Sequence, residues 1–302
     1  MTITGILCGL VSAFFMALAF VFSGRAVRKC PALGSLGLLA RAHVIMGVIS
    51  LVGLYFFWVP EVLSEFKYWF PITWYGVVFY LAGQACLFMA QRTVDPSRLV
   101  PLLGLKLVVL ALINGLLLNI ETYGWMQLLA IACTIFSAFL LNNAGRKIPL
   151  SSLTWVLLAC CGYSLSDICI KLQTGRIGEF GMESLVEQSL LSACLSYTIC
   201  GIVGALILPF LKRHPAKVWK MAAPFSLAWL IGIVFLFACF EQIGTVNGNI
   251  VQSTRGIWAV ILGVILSRSG QTYLEEKTSW NIVFRRFVAA LLLLLSIFLY
   301  NF

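Results

Sequence analysis

The sequence predicts an all-α membrane protein of ten transmembrane helices, arranged as two inverted five-helix repeats. Three observations lead to this fold class. Hydrophobic residues make up 61% of the 302 positions and charged residues 11%, whereas a soluble domain is about half apolar and about a quarter charged. Apolar stretches of about 20 residues, the length that crosses the hydrocarbon core as a helix, follow one another almost end to end. Lys and Arg are concentrated in alternate connecting segments, as expected of a chain that threads a bilayer repeatedly.

In chain order the expected spans are 3–23, 35–58, 72–91, 99–119, 124–141, 153–171, 190–211, 225–242, 250–267 and 282–300. The first has no positive n-region and an apolar run too long for a cleavable leader, so it is read as a retained span. Its Gly5, Gly9, Ala13 and Ala17 form a small-residue stripe suited to close helix packing. The second carries Arg41, expected to snorkel to the interface, and His43, expected to be a satisfied helix residue. Trp58, Trp69, Trp74 and Trp125 fall near span ends and read as interfacial belt residues. The longest connections, 172–189 and 268–281, are too short to enclose a core. A soluble catalytic or nucleic-acid-binding domain is therefore excluded, and the net charge of +10 belongs to membrane-flanking loops. Nine of the ten Cys lie in or beside spans, where they act as small hydrophobes, and only Cys30 is in a loop. No metal site, disulfide or cofactor is expected from their spacing.

Fifteen Lys and Arg flank the odd-numbered loops, from Arg25, Arg28 and Lys29 through to Arg285 and Arg286, against three, Lys67, Lys171 and Arg176, for the even-numbered ones. The positive-inside rule then puts the odd loops in the cytoplasm and both termini outside. A shift of 152 positions lays the fourth span on the ninth, bringing Gly104 onto Gly256 and Val108 onto Val260. The expected halves are residues 1–148 and 149–302. Because five is odd, a second copy enters the membrane from the opposite side, an architecture that supports alternating access about a midplane site.

The run 91–101, with Asp95, Pro96 and Pro101, followed by Asn119 and Glu121, and the close of the first span at Phe20 to Arg25, resemble the drug/metabolite transporter superfamily and its EamA-like members. The resemblance is clearest over 82–141 and 236–300. The second copy departs from the pattern, with Ser253 in place of the Pro and Glu275 and Glu276 arriving late. The resemblance implies a ten-helix carrier with a cavity lined by spans one, three, four, six, eight and nine. It also implies termini inside for many bacterial members, opposite to the orientation that this chain's own charges give.

Charges within a bilayer are costly, which makes each a functional candidate. Arg255 lies on a polar stripe with Asn249 and Gln252 at three-residue steps. Under the repeat it falls opposite Leu103, three residues from Lys106. The two cations suit an anionic substrate group, Arg as a planar fork and Lys as a point charge. The alternative for each is an internal ion pair with Asp167 or Glu241. Asp167 is a proton or cation site, or else the partner of Lys171 one turn later. Glu241 is a second coupling candidate, or a solvated helix end. Gln84 and Tyr163 are neutral hydrogen-bonding candidates.

The leading function is therefore secondary active transport of a small metabolite bearing an anionic group, at a central cavity. An exporter of neutral or zwitterionic amino acids is the alternative within the class. A membrane scaffold or receptor, or an intramembrane enzyme, is the alternative outside it. Two His residues in the chain, His43 and His214, argue against the enzyme. The expected partners are the small-molecule substrate, the lipid bilayer and a coupling proton or cation, with no nucleic acid. The expected setting is the cell (inner) membrane, as monomer or homodimer.

Overall fold

The computed structural model describes residues 2–113, 124–143, 148–182, 184–212, 216–269 and 279–300. Among them there is no strand. The helices are α1 (Ile3–Lys29), α2 (Gly34–Phe57), α3 (Glu61–Ser64), α4 (Phe66–Ala90), α5 (Pro96–Leu102), α6 (Lys106–Leu112), α7 (Trp125–Asn143), α8 (Leu150–Gly178), α9 (Leu185–Ile207), α10 (Lys217–Gln252), α11 (Arg255–Arg268) and α12 (Trp280–Tyr300). Six stretches among the described residues are long and apolar enough to cross a bilayer: Ile3–Lys29, Pro31–Phe57, Phe66–Ala90, Leu150–Gly178, Leu185–Phe210 and Lys217–Thr245. The expected fourth, fifth, ninth and tenth spans fall respectively on α5 and α6, on α7, on the end of α10 with α11, and on α12.

Local chemistry sets the helix ends. Thr2 caps α1, its Oγ1 accepting from the Gly5 amide at 3.2 Å. Pro96 opens α5 at the position where a missing N–H is harmless. A break follows Ile243, where Gly244 adopts φ +77° and divides α10 into a long arm and a short segment of 245–252. That backbone conformation is open to glycine and strained for other residues.

Three sequence expectations need correction, the third at Arg41 below. The 172–189 connection is mostly helical, because α8 continues to Gly178 and α9 starts at Leu185. Its polar residues turn inward: Gln173 Nε2 donates to the Ser192 carbonyl at 2.9 Å, and Ser196 donates to Gln173 Oε1 at 2.9 Å. Trp69 is not a belt residue. It is buried, and its indole N–H donates to the Val62 carbonyl at 2.8 Å, fastening α4 to the 58–65 connection. Trp58, Trp74 and Trp125 are exposed, as a belt position requires.

The most extensive helix contacts are α1 with α10, α4 with α8, α2 with α9, and α7 with α12, and α5 packs on α11. Small residues allow these approaches, as packing within lipid demands. A Cβ at Gly47 would lie 2.6 Å from the Gly201 Cα, and one at Gly162 would lie 2.8 Å from the Gly83 Cα. On α1, a Cβ at Gly9 would meet Val251 at 2.7 Å, while Ala13 and Ala17 are fully buried. The small-residue stripe is thus a packing surface. Many outward side chains are large and apolar, including Tyr55, Phe56, Leu150, Leu206 and Phe210, which suits a lipid surround. The interior in turn holds polar groups such as Ser12, Thr73, Gln84 and Ser164.

The two ends differ in charge. Arg28 pairs with Asp95 at 3.0 Å, Thr93 bonds Ser152 at 2.6 Å, and Arg41 donates to the Lys212 carbonyl at 3.2 Å, so the first, third, fifth and seventh loops gather at one end. At the other end Tyr68 bonds Glu179 at 3.1 Å and Arg176 lies over the Tyr68 ring at 3.9 Å, near Glu61 and Glu65 in sequence. Arg41 is buried over Trp219 and anchored to the Gly37 and Lys212 carbonyls, rather than freely solvated as snorkelling predicts.

Candidate functional site

The site forms where two helices are interrupted. Between α5 and α6 the chain tightens into one 3-10 turn at Leu103–Leu105, and Lys106 is the first residue of α6. Between α10 and α11 it turns at Ser253 and Thr254, and Arg255 is the first residue of α11. Pro101 contributes to the first interruption, since a proline inside a helix removes a hydrogen bond and crowds the preceding turn. The two interruptions face each other: a Cβ at Gly256 would stand 3.3 Å from the Pro101 Cα. Interrupted helices at membrane depth are tolerated where the backbone is enclosed by protein or lines a cavity.

Around these breaks the structure brings together most of the residues singled out in the sequence. Lys106 Nζ meets Asp167 Oδ2 at 2.5 Å, both side chains being 6% exposed. Asn249 Nδ2 donates to the same carboxylate oxygen at 2.8 Å. Tyr163 donates to Gln84 Oε1 at 2.6 Å. Gln252 donates through Nε2 to Met16 Sδ at 2.9 Å. The buried guanidinium of Arg255 lies 6.0 Å from the Phe20 ring centroid and within electrostatic range of Asp167 and Tyr163. Among the described residues Arg255 makes no ion pair.

Asp167 is thus matched with Lys106 across α6 and α8. Lys171, the local partner that the sequence offered, instead reaches Glu241 Oε2 at 3.0 Å. Glu241 and Lys171 form a second, more exposed pair, one turn along α8 from Asp167. Asn119, Glu121, Gln271, Glu275 and Glu276 lie outside the described residues, as do Arg146, Lys147, Arg213, His214 and Lys277.

Counted as formal charges, Lys106, Arg255 and Asp167 leave one positive charge in excess. Three buried amide atoms around them have no partner among the described residues: Gln84 Nε2, Asn249 Oδ1 and Gln252 Oε1. Buried polar atoms are nearly always satisfied in native structures. Here they mark hydrogen-bonding capacity that a polar ligand can take up.

Sequence reasoning missed the aromatic and polar network beside this cluster. Tyr80 stacks on Trp229 at 5.8 Å and approaches Tyr197 at 5.6 Å. The Trp229 indole donates to Tyr197 at 2.6 Å. His43 is fully buried, with Nδ1 2.7 Å from the Leu39 carbonyl and Nε2 2.9 Å from the Tyr80 hydroxyl. A carbonyl can only accept, so Nδ1 carries the proton and neutral Nε2 accepts from Tyr80. A cavity of about 30 Å³ lies next to this network, with Thr73, Ser166, Gln173 and Ser196 among its lining. The signal was present in the 3.6-residue spacing of Ser166, Ile170 and Gln173, but Gln173 fell beyond the expected end of its span.

Comparison with known proteins follows the same lines. Residues 3–143 match the EamA-like transporter family. No curated protein matches the chain. Among solved structures, one titled only "Crystal structure of protein" is similar with a TM-score of 0.60 and 12% identity, covering 95% of this chain and 95% of that one. That likeness concerns the fold. EamA-like proteins are small-molecule transporters rather than enzymes. The apolar helices agree with an integral membrane protein. Over residues 3–143, just under half of its length, the chain is thus similar to the EamA-like transporter family, which belongs to the drug/metabolite transporter superfamily.

Proposed function

We propose that the chain is a secondary active transporter of a small anionic metabolite, working by alternating access between residues 1–148 and 149–302 as inverted five-helix halves. The helix pairing supports the halves. A five-span shift carries the α1–α10 pair onto α8–α4, and returns α2–α9, α5–α11 and α7–α12 to themselves. The glycines at the crossings shift with it: Gly9 corresponds to Gly162 after 153 positions and Gly47 to Gly201 after 154.

The observation that carries the anionic reading is buried Arg255, which has no carboxylate partner among the described residues and sits beside an ion pair that is already neutral. A substrate carboxylate or phosphate balances it. Gln84, Asn249 and Gln252 supply neutral contacts, and Tyr163 orients Gln84. Asp167 is the coupling group. A proton on Asp167 weakens its hold on Lys106 and frees that ammonium for the substrate, so proton and anion enter the site together. Glu241, already held by Lys171 at a more exposed position, is the secondary candidate.

Counterflow into proteoliposomes, with labelled carboxylates, phosphates and amino acids in parallel, tests this. Anions should exchange, and Arg255→Ala should abolish that exchange. A neutral or cationic substrate whose affinity is unchanged in Arg255→Ala overturns the reading. One observation favours a zwitterion instead: Asp167 and Arg255 place both signs in one cluster. The amino-acid arm of the same experiment decides it.

The charge bias of the two ends supports an orientation with the odd loops in the cytoplasm and both termini outside, in the cell membrane. A membrane-impermeant thiol reagent should label Cys30 only after cells are opened, with Cys30→Ser identifying the signal. Labelling from outside in intact cells reverses the orientation.

A further inference from the structure

Between the Asp167 cluster and the end of the molecule that carries Glu179, the interior changes character in the same order along three helices. On α8, Gln173 stands about 9 Å along the axis from Asp167, and Ile177 about 6 Å further. On α4 the order toward that end is Gln84, Tyr80, Thr73 and Trp69, and on α9 it is Tyr197, Ser196 and Leu191. The middle group, Thr73, Tyr80, Ser166, Gln173, Ser196 and Tyr197, belongs to the lining of the cavity of about 30 Å³, which has room for about two water molecules. The outer group is apolar. Leu54, Val62 and Trp69 pack with Ile177, Leu191 and Leu195 in a buried cluster distinct from the main core. At the rim beyond it, Arg176 donates to the Tyr68 carbonyl at 2.9 Å and lies over the Tyr68 ring at 3.9 Å, while the Tyr68 hydroxyl donates to Glu179 at 3.1 Å.

We infer that the apolar cluster is the gate at this end, and that the cavity beneath it is the closed vestibule joining Asp167 to the solvent there. The inference rests on the reading of Asp167 as the coupling group. Hydroxyl and amide groups around a space of this size hold water, and the apolar residues beyond it seal that water in. The seam between the two sets of residues is suited to parting. Leu54, Val62 and Trp69 belong to one proposed half, and Ile177, Leu191 and Leu195 to the other. The buried hydrogen bonds beside the seam each stay within one half: Trp69 donates to the Val62 carbonyl, Gln173 to the Ser192 carbonyl, and Ser196 to Gln173. Across it the cluster makes apolar contacts, which are non-directional and part without stranding a polar group. The rim contacts of Tyr68 with Arg176 and Glu179 also cross the seam, where water can replace them. They act as the latch.

The test uses the purified full-length protein in detergent, where both ends are within reach. A charged methanethiosulfonate is the probe, and its rate of reaction with Ser196→Cys is read peptide by peptide in the mass spectrometer. With the gate intact the reaction should be slow. Adding Trp69→Ala should speed it about a hundredfold, the scale set by loss of a buried aromatic side chain. Adding Arg176→Gln instead leaves the buried packing in place and should speed it about threefold, the scale of one exposed cation–π contact. Cys239, buried on α10 outside the cluster, is the control and should react at an unchanged rate in every variant. Fast labelling of Ser196→Cys with the gate intact would overturn the closed vestibule. Unchanged labelling in both Trp69→Ala and Arg176→Gln would overturn the gate. Equal acceleration at Cys239 would show general loosening and overturn it as well. Labelling needs no substrate, so a wrong substrate class leaves this test intact, and a failed gate leaves the counterflow result standing.

Discussion

The two interrupted helices carry the same device with opposite outcomes. Lys106 opens the second part of one and Arg255 the second part of the other. Lys106 is neutralised by a carboxylate at 2.5 Å that also receives Asn249. Among the described residues Arg255 makes no ion pair, and it lies within electrostatic range of that carboxylate and 6.0 Å from an aromatic ring centroid. Two cations at like places in two helix breaks thus divide into one matched with a carboxylate and one with no such partner among the described residues.

That division is open to attack by substitution, starting with the side expected to be structural. Lys106→Met leaves Asp167 buried without its countercharge and should destabilise the protein by about 3–5 kcal/mol. Lys106→Met/Asp167→Asn should recover most of the loss, read as apparent melting temperature. A double variant no more stable than the single one would detach Lys106 from its structural role.

Next comes the other cation. Arg255→Ala strands no carboxylate among the described residues, so the protein should keep its melting temperature and bind substrate roughly a hundredfold more weakly, as loss of a buried charged contact does. Arg255→Lys should fall between, about tenfold weaker, because the charge survives while the planar fork and one of its hydrogen bonds are lost. Equal affinities for both variants would mean that only the fork mattered.

Asp167→Asn should abolish gradient-driven accumulation while substrate exchange continues, which separates coupling from binding. The smallest effect belongs to the exposed pair. Glu241→Gln breaks a contact whose partners are 38% and 19% exposed, and should change stability by less than about 1 kcal/mol. A loss comparable to that of Lys106→Met would erase the contrast between the two pairs.

The all-helical membrane character was legible because long apolar runs admit few other structures in lipid. The prominence of Arg255, Lys106 and Asp167 was legible for the same reason, since a charge in such a run demands an explanation. The pairing was not. Asp167 and Lys171 are one turn apart and invite a local contact, but the geometry of α6 and α8 gives Asp167 to Lys106, and α10 gives Lys171 to Glu241. Local spacing states which residues can meet on one helix and is silent about what the neighbouring helix offers. Trp69 shows the same limit: its position suggested an interface, and its partner, the Val62 carbonyl, could not be seen in the sequence. The aromatic network of Tyr80, Tyr197 and Trp229 draws on three helices whose sequences each look like ordinary membrane spans.

At the crossing of α2 and α9 the backbones touch through Gly47 and Gly201, with 2.6 Å between the Gly201 Cα and the place a Cβ on Gly47 would occupy. No side chain stands between the two backbones at that point, while Cys194 seats on Gly53 and Val44 on Gly204 to either side of it. The pair acts as a spacer. It sets the distance between the two helices, and an alanine on either side would act as a wedge that forces the distance open.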